Sequence, residues 1–129
     1  PHGASRQRNK GETMHEVALS RQLARIVSRH AVGREVLEVE LEVGHLRQVV
    51  PEALQFAWGA VRKNTLSGPA QLNITEIPAV IVCQNCGSKT QLEEVLDFRC
   101  ANCSSREVAV ISGEEFRVVS IEVTPERKQ

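Results

Sequence analysis

The four cysteines of this 129-residue chain fall in two pairs, Cys83-Gln84-Asn85-Cys86 and Cys100-Ala101-Asn102-Cys103. Two C-x2-C pairs separated by the 13 residues from Gly87 to Arg99 have the spacing of a four-thiolate tetrahedral site. Each pair closes a tight turn that aims two sulfurs at one point, and the residues between let the chain double back. Gly87 suits such a turn, because a position with positive φ is cheapest for glycine. Zinc is the default metal, and iron fits the same spacing. Two disulfides would need an oxidising compartment, and no apolar signal segment is visible in the chain. A thioredoxin-like redox site needs only one such pair. A closed four-thiolate site holds a small lobe together and leaves no open position for catalysis.

Composition narrows the function further. Sixteen basic and sixteen acidic residues cancel, so no global field draws the chain to nucleic acid or to an acidic membrane. Three phenylalanines, one tryptophan and no tyrosine offer little for base stacking. No apolar run has membrane-spanning length. No phosphate loop or dinucleotide-binding turn is present, and the cysteines are committed to metal, so the chain does not read as an enzyme. The expected setting is cytoplasmic.

The elements that must carry the cysteines follow from periodicity. Residues 1–13 are polar and aperiodic and are expected to be a disordered arm or an expression remnant. From Met14, the positions Leu19, Leu23, Ile26, Val27 and His30 mark one helix face, with Thr13 and Glu16 placed for a capping box and Gly33 as terminator. Leu37, Val39, Leu41 and Val43 alternate with Glu38, Glu40 and Glu42, a half-buried strand with an acidic, solvated outer face. A second helix starts at Pro51 and carries an apolar stripe of Leu54, Ala57, Trp58 and Val61. Ser67-Gly68-Pro69 breaks the chain, residues 70–77 form a strand, and Phe116 to Val123 form another. The expected fold is α+β, two helices packed on a three-stranded sheet, with a zinc-ribbon lobe over 79–111 inserted into a domain of 14–78 and 112–124. Residues 125–129 are a charged tail, and no internal repeat is expected.

Met14-His15-Glu16 at a helix start, followed later by a zinc ribbon, resembles the HypA/HybF family of hydrogenase nickel-incorporation proteins. The resemblance runs from Met14 to about Val123. It is carried by Met14-His15-Glu16-Val17-Ala18-Leu19-Ser20, Val43-Gly44-His45-Leu46, Val50-Pro51-Glu52-Ala53-Leu54-Gln55-Phe56-Ala57 and the two cysteine pairs in that order. It implies a nickel-binding domain with a zinc lobe, nickel as cargo and zinc as a structural ion. It also implies delivery of Ni(II) to the large-subunit precursor of a [NiFe]-hydrogenase, in partnership with a separate GTPase. The family's nickel ligands would fall on Met14, His15 and Glu16.

A histidine in second position offers its imidazole, its own deprotonated amide and the preceding terminal amine, a nitrogen set that favours a planar ion such as Ni(II). In this chain Met14 follows Thr13, so its nitrogen is an amide, and Pro1-His2 presents a fortuitous chelate of the same kind. Without the resemblance, His15 is an exposed first-turn residue and Glu16 half of a capping box. His30 and His45 have no required metal role. The alternative function is a zinc-ribbon adaptor in transcription or RNA processing, which the neutral charge and scarce aromatics oppose. Homodimerisation is left open.

Overall fold

The computed structural model describes residues 2–64, 68–93 and 96–125, with residues 2–14 and Asn64 described through the backbone alone. Pro1, Ser67 and all of the expected tail beyond Pro125 lie outside the described residues. In chain order the elements are α1 (His2–Ala31), β1 (Val36–Gly44), a 3-10 turn (His45–Arg47), α2 (Pro51–Val61), a second 3-10 turn (Arg62–Asn64), β2 (Gln71–Ile77), β3 (Ala79–Cys83), β4 (Lys89–Leu92), β5 (Val108–Ser112) and β6 (Phe116–Val123). The sheets run β2-β1-β6 and β4-β3-β5. Two compact units result, one of residues 1–41, 49–74 and 118–129, the other of residues 42–48 and 75–117. The second unit thus takes in the end of β1 and the start of β6 besides the cysteine segment.

The first helix differs from expectation at both its start and its face. Helical backbone runs from His2, so Thr13 is an interior residue and does not begin the helix. The physical reason is propagation: Ala4, Arg6, Gln7, Arg8 and Lys10 are good helix formers, and they extend a helix already nucleated by packing further on. The buried stripe is Leu19, Leu23, Val27 and Ala31, joined by Ala24 and by two polar residues, Glu16 and Ser20. His30 is exposed, and its Nδ1 lies 3.0 Å from the Ile26 carbonyl oxygen. The helix stops where Val32 and Gly33 take left-handed φ of 53° and 79°.

The rest of the first unit follows its pattern closely. Val39, Leu41 and Val43 are buried on β1, although Val36 takes the buried place expected for Leu37. Glu38 and Glu40 are half-buried, and both accept from the Asn73 side-chain amide, at 3.2 and 2.6 Å. That correction has a simple cause, because the neighbouring strand β2 brings a donor to this face. Pro51 begins α2, which buries Leu54, Ala57 and Trp58. Gln55 Nε2 donates to Leu72 O at 2.7 Å, and Trp58 Nε1 to Ala70 O at 3.1 Å, tying α2 to the β2 segment.

In the second unit, β3 is the central strand. It pairs antiparallel with β4, Val82 facing Lys89, and with β5, Cys83 facing Val108. Ala79, Ile81 and Leu92 form its core, flanked by Leu46, Leu96 and Val108. Gly44 and Gly113 meet backbone to backbone here. Gly44 N donates to Glu115 O at 2.7 Å, and Leu46 N to Gly113 O at 2.8 Å. A Cβ on Gly44 would overlap the Gly113 carbonyl, and one on Gly113 would stand 2.7 Å from Ala79 Cα. Gly44→Ala is therefore expected to destabilise the protein by about 3 kcal/mol, the upper end of overpacking costs, measured by chemical denaturation against Gly59→Ala, where a Cβ meets nothing within 4 Å.

Candidate metal centres

Six residues from each cysteine pair onward fold alike. Over Cys83–Ser88, Cys83 N donates to Ser88 O at 2.8 Å and Gly87 N to Cys83 O at 2.9 Å; over Cys100–Ser105, Cys100 N donates to Ser105 O and Ser104 N to Cys100 O, both at 2.9 Å. The left-handed position is Gly87 in the first turn (φ 81°) and Ser104 in the second (φ 64°). These are two copies of one short repeat, C-x-N-C-[G/S]-S, contrary to the expectation that the chain has none. β3 delivers the first turn, and Thr90 Oγ1, on β4, accepts the Ala101 amide of the second at 3.1 Å.

The repeat brings all four sulfurs within 4.8 Å of one another. Cys83 and Cys103 Sγ are 3.6 Å apart, as are Cys86 and Cys100 Sγ. A tetrahedral zinc with Zn–S of about 2.3 Å needs sulfurs about 3.8 Å apart, so the set fits that ion. Cys83 and Cys100 are buried, Cys86 and Cys103 exposed. Backbone donors converge on the first cysteine of each turn: Asn85 N and Cys86 N reach Cys83 Sγ at 3.3 Å, and Asn102 N and Cys103 N reach Cys100 Sγ at 3.3 and 3.4 Å. The thiol of Cys83 is lowered, by the Cys86 amide above all. That of Cys86 is lowered to about 5, by the Ser88 hydroxyl first and the Asn102 amide next. Cys103 goes the other way. The Ser105 amide and Asn85 pull it down, but the Cys83 thiol, burial and the Cys86 thiol outweigh them and raise it. Such a set titrates as a group of like charges that a divalent cation would stabilise. Cys83, Cys86, Cys100 and Cys103 fit a structural zinc site, and among the described residues no other cluster of three or more metal-ligating side chains occurs.

The three residues of the nickel motif are adjacent in sequence and differently placed. His15 is exposed. Glu16 is completely buried, one helical step of about 100° away. Its Oε2 accepts from Val50 N at 2.8 Å, so the carboxylate sits at the N-terminus of α2, whose cap residue Val50 supplies no side-chain bond of its own. A carboxylate there also meets the positive end of the helix dipole. Glu16 Oε1 and Ser20 Oγ, both buried, have no hydrogen-bond partner among the described residues. The Met14 nitrogen is a backbone amide inside α1. His45 Nε2 lies 3.4 Å from Glu76 Oε1, a largely exposed pair. Glu42 is bound by Arg117 Nε at 2.7 Å.

Asn85, Asn102, Ser104 and Ser20 were absent from the residues expected to matter. The repeated Asn two places after each first cysteine was visible in the sequence. So was the i, i+4, i+7 series Glu16, Ser20 and Leu23, which puts two polar residues on the apolar stripe.

Two outcomes are expected. Glu16→Ala leaves the half-buried Val50 amide without its partner and should cost about 2 kcal/mol, read from denaturation followed by Trp58 fluorescence, while His15→Ala should leave that transition in place. In the zinc lobe, Ser104→Gly should stabilise and Gly87→Ser destabilise by about 1 kcal/mol each, the price of a side chain in left-handed backbone, seen as opposite shifts in thermal unfolding.

Comparison with known proteins agrees with the geometry. Residues 14–123 match the family model described as hydrogenase/urease nickel incorporation, metallochaperone, HypA. The hydrogenase maturation factor HypA of Desulfatibacillum aliphaticivorans is 40% identical over 114 residues, covering 85% of this chain and 87% of its own. That of Geobacter metallireducens is 37% identical over 110 residues, covering 85% and 99%. The solution structure of the Ni metallochaperone HypA from Helicobacter pylori shares the fold, with a TM-score of 0.64 at 21% identity over 86% of this chain and 98% of that one. The chain belongs to the HypA family of hydrogenase/urease nickel-incorporation metallochaperones.

Proposed function

We propose that this protein binds one Ni(II) at the start of its family-matched segment and delivers it to the large-subunit precursor of a [NiFe]-hydrogenase. The observation that carries this is that the family match begins at Met14, the residue that opens Met14-His15-Glu16. In a form whose first residue is Met14 this motif has its full set of donors. Such a chain has a terminal amine. It also has free amides at His15 and Glu16, because the first turn of a helix lacks intrahelical acceptors. In the longer chain α1 continues back to His2, so those amides are committed to helical bonds. The extension therefore blocks the site twice, by removing the amine and by occupying the amides.

The nickel donors are the Met14 amine, the His15 amide and imidazole, and a nitrogen of the Glu16 backbone. The buried Glu16 carboxylate holds α2 instead and stays out of the metal sphere. Work at this site is binding and transfer, not catalysis. Delivery runs in partnership with a P-loop GTPase, since this chain has no phosphate loop of its own, and takes place in the cytoplasm. No helix among the described residues is long and apolar enough to cross a membrane. A zinc-ribbon adaptor in transcription or RNA processing loses its support, because the family match accounts for the ribbon.

Nickel titration of four forms tests this: starting at Met14, carrying residues 1–13, carrying them with His2→Ala, and starting at Met14 with His15→Ala. The first should bind one Ni(II) tightly. The extended His2→Ala form and the His15→Ala form should lose tight binding while keeping zinc. Equal nickel affinity in the His15→Ala form and its parent would overturn the site.

A further inference from the structure

The zinc site holds a pair of residues that neither the family match nor the ligand set explains. The six-residue repeat varies at its second position, Gln84 against Ala101, and at its fifth, Gly87 against Ser104, but keeps Asn at its third. Each of these asparagines reaches out of its own turn. Asn85 Nδ2 donates to Cys103 Sγ at 3.7 Å, and Asn102 Nδ2 to Cys86 Sγ at 3.6 Å. Cys83 and Cys100 each take two backbone N–H bonds from within their own turn. Both asparagine bonds go to the other two, Cys86 and Cys103, which are the exposed cysteines of each turn.

We propose that Asn85 and Asn102 are positioning residues of the zinc site, each clamping the exposed thiolate of the opposite turn. Four thiolates around one Zn2+ leave a net double negative charge, and every N–H aimed at sulfur disperses part of it. Backbone amides can do this for the first cysteine of each turn, because the chain wraps around it. The second cysteine takes its local donors from just beyond the turn, Ser88 for Cys86 and Ser105 for Cys103, and the asparagine of the opposite turn adds one more. The two bonds cross in opposite directions and tie the turns together through the thiolates themselves. Zinc retention thus depends on two side chains that are not ligands, independently of where nickel binds.

The experiment uses the full zinc-loaded chain and four variants, Asn85→Ala, Asn102→Ala, the double alanine variant, and Asn85→Asp with Asn102→Asp. Two quantities are followed: the rate of zinc transfer to a chelator, and the sulfur-to-cobalt charge-transfer band after Co(II) replaces zinc. Each alanine should speed release about tenfold, and the two together about a hundredfold, within the range for residues that support metal ligands. The cobalt band should move to lower energy, because a thiolate without its donor holds its electrons less tightly. The aspartate pair decides between clamp and turn former. Aspartate forms the same turns as asparagine but presents an acceptor to a thiolate, so it should release zinc faster than the double alanine variant. Failure of the aspartate pair to take up zinc, where the alanine pair does so, is the same result in extreme form. Wild-type release from the aspartate pair, or faster release with an unmoved cobalt band in the alanine variants, would overturn the proposal.

Discussion

Four thiolates gathered within 4.8 Å repel one another, and only a cation among them makes the arrangement stable. The second unit is organised around that constraint. Its central strand β3 ends at Cys83, a hairpin partner at Thr90 holds the second turn, and its core of Ala79, Ile81 and Leu92 is small. So small an apolar core leaves much of the lobe's order to the metal. The repeat matches this demand, since each turn supplies donors to its own first sulfur and to the other turn's second. Zinc here is a structural element, because a closed four-sulfur shell leaves no open position.

The nickel site proposed above poses the opposite problem. A transfer site must be accessible and must release its ion, so its ligands cannot be locked in a core. His15 is exposed, while Glu16 beside it is driven into the interior to receive the Val50 amide. One helical turn thereby shows two faces, an exposed one at His15 and a fixed one at Glu16. The buried carboxylate, with one oxygen and the neighbouring Ser20 hydroxyl unpartnered among the described residues, is a costly way to anchor a helix. The α2 dipole offsets part of that cost.

Much of this was legible in the sequence where the signal is local. Pro51 opens α2, and β6 runs from Phe116 to Val123, because proline fixes φ and strand alternation is read over a few residues. The cysteine spacing alone located the four-sulfur cluster. What escaped depends on distant partners. The burial of Glu16 makes sense only with Val50, 34 residues on, beside it. The acidic outer face of β1 is only half solvated once Asn73 arrives from β2. The crossing of Gly44 and Gly113 joins segments that no short window contains. The helix start was missed for a different reason, since polar residues 2–13 carry no stripe yet follow a helix already formed.

On the proposed reading two metals are held by two chemically separate sets of ligands, sulfur for zinc and nitrogen for nickel. X-ray absorption at both metal edges, on one sample of the form starting at Met14 loaded with zinc and nickel, tests this most directly. The zinc shell should contain four sulfurs at about 2.3 Å, and the nickel shell should contain light nitrogen or oxygen donors in a planar field, with no sulfur. Sulfur around nickel, or nitrogen replacing sulfur around zinc, would contradict it.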